Sequence, residues 1–248
     1  IKEQVHNRPL LQAILRNQIT LLDYELMVNS QNKRVIAFGF FAGMVGAHNA
    51  LYAYGERSQS FQLPRLYTLE NYEKVLPFYQ NTNWPPIKII ITGTGRVGQG
   101  AQKVLLDMGL QQVTPPSFIQ ETFNQPVFTV LKTEDYVRPL HEKTFDKQKY
   151  FLNPTNHTID FSPYYQQADI FINCIYWDNR APAFFTREEM ASKDFNLQVI
   201  ADVTCDIAPL SSIPSTLRPS TIPLPIYGYD PLTGKETQPY LEHCIDIM

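Results

Sequence analysis

The residues of this sequence whose types and spacing could do chemistry begin at Gly93-Thr94-Gly95-Arg96-Val97-Gly98, directly after the apolar run Ile87 to Thr92. A G-x-G-x-x-G segment between a strand and a helix suits a dinucleotide pyrophosphate. Gly93 permits the tight turn, Gly95 lets the backbone approach a phosphate with no Cβ in the way, and Gly98, with Gly100 and Ala101, lets helix and strand pack closely. The helix start adds free N–H groups and the positive end of its dipole, and Arg96 adds a full charge. At the ribose end a nicotinamide site places Asp or Glu about 20 residues after the first glycine. That region reads Gln112-Val113-Thr114-Pro115-Pro116, with neither carboxylate nor base, so Thr114 leaves NAD and NADP both open.

Other candidates are weaker. Asp178, Asn179 and Arg180 follow the apolar run ending Cys174-Ile175-Tyr176-Trp177 and fall at a strand's carboxyl end, where they are either ligand contacts or a turn. Asp202 and Asp206 bracket Thr204-Cys205 in a similar place, again as ligand contacts or a solvated loop. Cys174 and Cys205 lie in or beside apolar runs and read as inert core thiols. Cys244 completes an odd, widely spaced set without C-x-x-C, and the five histidines form no pair at ligand spacing, so no metal is expected.

These residues need a scaffold. Helical spacing predicts a short amphipathic helix over Arg8 to Asn17, and apolar runs predict strands over Ile19 to Tyr24 and Arg34 to Phe40 around a polar turn at Asn29 to Lys33. A helix from Phe41 to Tyr54 carries Gly43, Ala47 and Leu51 four apart, a row suited to close helix packing. A further helix is expected around Leu69 to Tyr79, with a domain boundary at Pro85-Pro86. Beyond it, strands at Ile87 to Thr92, Gln111 to Thr114, Ala168 to Ile175 and Leu197 to Asp202 alternate with helices at Ala101 to Met108 and Arg187 to Ser192. Gly109 is the expected C-cap of the first of these. The alternation predicts an α/β fold with an open parallel sheet.

Composition sets bounds. A chain of 248 residues with 44% apolar and 18% charged residues can bury a core. With 21 basic against 24 acidic residues, a net charge of -3 and no basic block, nucleic acid is an improbable partner. The low-polarity stretch Val35 to Ala47 is too short to span a bilayer. A reduced cytoplasmic setting, no membrane, a small-molecule partner and a monomer or homodimer are the expectations.

Several segments, in order, resemble the saccharopine dehydrogenases and lysine-ketoglutarate reductases, within the wider alanine dehydrogenase and transhydrogenase group. They are Lys2-Glu3-Gln4, Leu22-Asp23-Tyr24-Glu25, Arg34-Val35-Ile36-Ala37-Phe38-Gly39 followed by Ala42-Gly43, the glycine loop with Arg96, Ala168 to Tyr176, and Ala201-Asp202-Val203-Thr204-Cys205-Asp206. The resemblance implies two Rossmann-like domains with parallel sheets, the N-terminal one truncated here. Residues 1–55 would be the remainder of a substrate domain with a linker helix, 56–86 a connection, 87–227 the dinucleotide domain, and 228–248 a return towards the first domain. It implies hydride transfer between NAD or NADP and the secondary amine or imine of saccharopine or a similar amino acid. The family's acid/base Lys and His would fall upstream of Ile1, and a substrate-side Asp beyond Met248, so no catalytic residue is expected in the chain. Gln4, Arg34 and Phe38 would border the substrate, with Arg34 apt for a carboxylate. Ile175 and Tyr176 would border cofactor, and Tyr176 with Trp177 the substrate. Thr94 and Val97 would flank the pyrophosphate. The Trp177 to Arg180 segment and the neutral Thr114 region depart from the family pattern. A lysine-ketoglutarate reductase, another imine-reducing enzyme, and a non-catalytic nucleotide-binding regulator are the alternatives.

Overall fold

The computed structural model describes residues 8–204 and 206–248. Two compact units are described separately, one ending at Phe38 and one spanning Gly39–Met248. In the first, α1 (Arg8–Arg16) is the expected amphipathic helix, with Asn17 Nδ2 donating to Ala13 O at its end. The two strands expected next do not form. Tyr24–Leu26 is a single 3-10 turn and Val28 and Arg34 share one isolated bridge. The polar turn between them is present, with Asn29 Oδ1 accepting from the N–H groups of Gln31 and Lys33. A strand requires a ladder, and a short apolar run with no paired neighbour stays irregular. Among the described residues this unit therefore carries no sheet.

The second unit is built on an eight-stranded sheet. Its strands are β1 (Lys88–Thr92), β2 (Gln111–Gln112), β3 (Val127–Leu131), then β6 (Ile170–Asn173), β7 (Val199–Asp202), β8 (Tyr227–Asp230), β9 (Lys235–Thr237) and β10 (Ile245–Ile247). The order across the sheet is β2-β3-β1-β6-β7-β10-β8-β9. Strands β2 to β10 along this order run parallel, and β8 and β9 close the edge antiparallel. Residues 228–248, expected to return towards a first domain, thus extend this sheet. A separate antiparallel pair, β4 (Val137–Pro139) and β5 (His157–Ile159), lies between β3 and β6 in sequence. The central strands are buried, apart from Lys88 at the start of β1, because helices and loops cover both faces, which explains the apolar runs Ile89 to Ile91, Ile170 to Ile172 and Val199 to Ala201.

One face is covered by α2 (Gly39–Ser58) and α4 (Arg96–Asp107), with α3 (Leu76–Asn81) in the connection between them. Ala47, Leu51, Val104 and Leu105 pack there over Ile89, Ile91, Ile170 and Ile172. The opposite face carries the short helices α5 (Pro115–Gln120), α6 (Thr133–Tyr136), α7 (Lys147–Leu152), α8 (Ser162–Tyr165) and α9 (Arg187–Met190) and an aromatic cluster of Phe161, Phe171, Phe184 and Phe185. The Gly43 row packs helix on helix as expected: a Cβ on Gly43 would lie 1.8 Å from Val97 O, and one on Gly100 would lie 1.9 Å from Phe40 O. Gly100 therefore serves the α2–α4 contact rather than the helix–strand contact expected of it.

Two buried polar groups anchor α2. His48 Nε2 donates to Pro64 O at 2.9 Å, which leaves Nδ1 to accept from Tyr79 O–H at 2.7 Å. Burial lowers the His48 pKa to about 4, so the ring is neutral. At the other end Arg57 pairs with buried Asp246 of β10 at 3.1 Å and donates to Cys244 O.

Candidate functional site

The site begins where β1 runs out. Gly93 has φ +91°, and a Cβ there would meet Cys174 O at 2.6 Å, so the turn requires glycine. A Cβ on Gly98 would lie 1.9 Å from Gly93 O. Both glycines serve the close approach of α4 to the ends of β1 and β6. Gly95 differs: its φ is −76° and nothing lies within 4 Å of a Cβ built on it. The fold makes no demand for glycine there. The open space above Gly95 is a cradle that a side chain would enter, at the start of a twelve-residue helix whose N-cap has no side-chain partner. Thr94, Gly95 and Arg96 are exposed and Val97 is half-buried. The residues present fit a pyrophosphate: open backbone, first-turn N–H groups, and the Arg96 guanidinium on the same turn.

Beneath the turn a buried hydrogen-bond network ties the ends of β1, β6 and β7. Thr92 Oγ1 donates to Asn173 Oδ1 at 2.8 Å, and Asn173 Nδ2 donates to Asp202 Oδ1 at 3.0 Å and to Ser212 Oγ at 2.9 Å. Asp202 also accepts from Thr204 Oγ1 at 2.7 Å and Thr216 Oγ1 at 2.6 Å. Burial pushes its carboxyl pKa up, opposed by those donors. Asp202 is thus neither a solvated loop residue nor a ligand contact but the centre of the floor that fixes three strand ends. Asp206 is half-buried, its carboxyl pushed up by burial against the Thr204 hydrogen bond. Cys205 lies outside the described residues. Burial pushes the Cys174 thiol up, as an inert core cysteine requires.

After β6 the chain exposes Tyr176, at 91%, while Ile175 and Trp177 are half-buried. Trp177 Nε1 is buried with no hydrogen-bond partner among the described residues. Asp178 and Arg180 answer one another: Arg180 Nη2 donates at 2.7 Å and Nε at 2.9 Å, and the backbone N–H of Arg180 closes a turn on Asp178 Oδ1. The guanidinium holds the Asp178 carboxyl down at about 2. These contacts give Asp178 and Arg180 the geometry of the turn reading.

Thr114 sits one strand further out than expected. The neighbour of β1 is β3, which the sequence reading passed over, and β2 lies beyond it. Thr114 follows β2, and its hydroxyl accepts from Ser117 N as the N-cap of α5. The missed signal was Val127-Phe128-Thr129-Val130-Leu131, a β-rich run bounded by Gln125-Pro126. Of the expected substrate-side residues, Arg34 holds its bridge to Val28 and Phe38 is 69% exposed in the first unit. Gln4 lies outside the described residues. No cluster of three or more His, Cys, Asp or Glu that could hold a metal occurs among the described residues. No helix among them is long and apolar enough to cross a membrane.

Strand order, glycine turn and buried floor define a doubly wound α/β unit with the glycine turn at the carboxyl edge of its parallel strands. No family model matches the sequence. Curated relatives do: the alpha-aminoadipic semialdehyde synthase of Arabidopsis thaliana is 27% identical over 93% of this chain and 25% of its own length. The mitochondrial synthase of Mus musculus is 26% identical over 86% of this chain and 25% of its own length. The saccharopine dehydrogenase [NAD(+), L-lysine-forming] of Emericella nidulans is 26% identical over 96% of this chain and 55% of its own length. Among solved structures an L-alanine dehydrogenase covers 81% of this chain and 48% of its own, at 16% identity and a TM-score of 0.40. The chain is a sequence relative of the saccharopine dehydrogenases and alpha-aminoadipic semialdehyde synthases. It spans about half the length of the former and a quarter of the latter.

Proposed function

We propose that this chain is the dinucleotide-binding part of an amino-acid oxidoreductase of the saccharopine dehydrogenase type. The observation that carries the reading is Gly95, open above its Cα at the mouth of a turn whose other two glycines are occupied by packing. Gly93, Thr94, Gly95, Arg96, Val97 and Gly98 would hold the pyrophosphate through backbone N–H groups and the helix dipole. A bound nicotinamide would supply hydride transfer to or from the carbon beside the amino acid's nitrogen. The chain's own part is to hold that ring still and keep the strand ends rigid, which the Thr92-Asn173-Asp202 floor favours. Ile175 and Tyr176 would border the nicotinamide, and Tyr176 and Trp177 the substrate. By the resemblance, Arg34 would take a substrate carboxylate in a two-pronged pair, and Gln4 and Phe38 are the other positions that match the family's substrate border. The relatives' names support saccharopine or L-lysine as the substrate class.

The reading is tested by calorimetric titration with NADH and NADPH, followed by saccharopine added to the saturated complex. Micromolar binding of a dinucleotide and tighter saccharopine binding in its presence are expected. Binding of saccharopine without any dinucleotide dependence contradicts the reading.

A further inference from the structure

Between β3 and β6 the chain makes an excursion in which β4 and β5 pair antiparallel from Val137↔Ile159 to Pro139↔His157. Helix α7 and a 3-10 turn at Pro154–Asn156 lie in the interval. These elements surround a cavity of about 230 Å³ whose polar lining is His141, Glu142, Lys149, Asn153, Asn156 and His157. No residue of the Gly93–Gly98 turn lines it. Pockets for drug-sized ligands run to about 300–1,000 Å³, so an occupant here is a smaller molecule.

His157 is the buried wall of the cavity, at 9% exposure. Its ring stands edge-on to Phe145 and Tyr150, with centroids 6.2 and 5.2 Å away and interplanar angles of 76° and 82°, so packing fixes its orientation. Nδ1 lies 3.3 Å from Asn153 O, to which it can only donate, so the neutral ring keeps Nε2 as an acceptor. Nε2 has no hydrogen-bond partner among the described residues. Thr155 Oγ1 donates to Asn153 Oδ1 at 2.6 Å, which leaves Asn153 Nδ2 as that amide's donor. Lys149 Nζ donates to both Glu142 carboxylate oxygens at 2.8 Å. Both of these side chains are about half exposed, and such a surface pair gains little from its contact and opens at little cost.

We propose that this cavity is a second ligand site and that its ligand is a free α-amino acid. The ion pair offers one carboxylate and one ammonium. A ligand of single charge pairs with one of them and strips the other of its partner, whereas a zwitterion trades one surface ion pair for two, its carboxylate on Lys149 and its ammonium on Glu142. His157 Nε2 can accept a further ammonium N–H, and Asn153 Nδ2 can donate to the carboxylate. Pro139 and Leu152 supply an apolar wall for an aliphatic side chain. The site does not depend on a dinucleotide at the Gly93 turn.

The test titrates the unliganded chain by calorimetry with L-norleucine, beside hexanoate, which lacks its amine, and pentylamine, which lacks its carboxylate, and follows the histidine ring nitrogens by NMR. Norleucine binds one to one at millimolar strength or better and shifts the His157 Nε2 signal, while hexanoate and pentylamine bind at least about tenfold more weakly. Lys149→Met and Glu142→Gln, both at the surface, each weaken norleucine about fivefold or more without lowering the melting temperature, and Arg34→Met leaves it unchanged. Heats of dilution alone up to about 50 mM norleucine overturn the site. So do hexanoate or pentylamine binding as tightly as norleucine, which reduces the cavity to a charged patch, and affinity lost in Arg34→Met but kept in Lys149→Met, which moves the amino acid to the substrate side.

Discussion

Gly95→Asp separates a binding glycine from a packing one. Nothing lies within 4 Å of a Cβ at residue 95 and its φ of −76° suits any residue, so the side chain enters open space. Residue 95 is also the N-cap of α4, where Asp is a better cap than Gly by a few tenths of a kcal/mol or more and its charge complements the helix dipole. The unliganded variant should therefore melt at the same temperature as the parent or slightly above. A carboxylate there would sit against the pyrophosphate. Two like charges about 5 Å apart at an effective dielectric near 20 repel by about 3 kcal/mol, which weakens binding roughly 100-fold or more. Gly98→Ala is the contrasting variant: its Cβ would lie 1.9 Å from Gly93 O, a backbone atom that cannot swing away, so about 1–3 kcal/mol of stability is lost. Nicotinamide fluorescence gives the affinity and unliganded melting gives the stability. Unchanged affinity in Gly95→Asp, or a melting loss as large as that of Gly98→Ala, would refute the reasoning.

Arg34→Met should weaken the amino-acid substrate about tenfold or more and leave dinucleotide affinity alone, as calorimetry of each ligand would show; equal effects on both would remove Arg34 from the substrate side. Trp177→Phe removes an unpartnered buried N–H, so unliganded stability should not fall, while saccharopine binding to the dinucleotide complex weakens about three- to tenfold; unaltered binding would place Trp177 outside the site. His48 has a folded pKa of about 4 against an ordinary 6.5, so the unfolded chain takes up more protons, and stability should be intact above pH 6.5 and fall by about 3 kcal/mol towards pH 4. Denaturant titrations across that range should show a flatter profile in His48→Gln; an identical slope would exclude His48 as the source. Arg57→Met leaves buried Asp246 without its cation and should cost roughly 3–5 kcal/mol by chemical denaturation, with a loss below about 1 kcal/mol counting against a structural ion pair.

What was legible in the sequence was local. Lys88 to Gly98 read correctly because a buried parallel strand, a tight glycine turn and a helix start each impose their own residue types on consecutive positions. Gly109 read as a C-cap for the same reason: its φ of +82° is a backbone demand that glycine meets. Long-range order was not legible. Nothing in Gln111-Gln112 says that it pairs outside β3, so counting residues from Gly93 leads to Thr114, whereas the strand next to β1 on that side is β3. Asp202 could be taken for a ligand contact because burial is a property of the packed sheet, and its donors Asn173, Thr204 and Thr216 come from separate parts of the chain. The runs Ile19 to Tyr24 and Arg34 to Phe40 have strand composition without a strand partner, and composition alone does not make a ladder.

The most direct test of the central claim is calorimetric titration of the unaltered chain with NADPH and with NADH. The account predicts saturable one-to-one binding of at least one of the two at micromolar strength. Heats of dilution alone for both dinucleotides, at concentrations up to the millimolar range, would contradict it and leave the Gly93–Gly98 turn as a packing device.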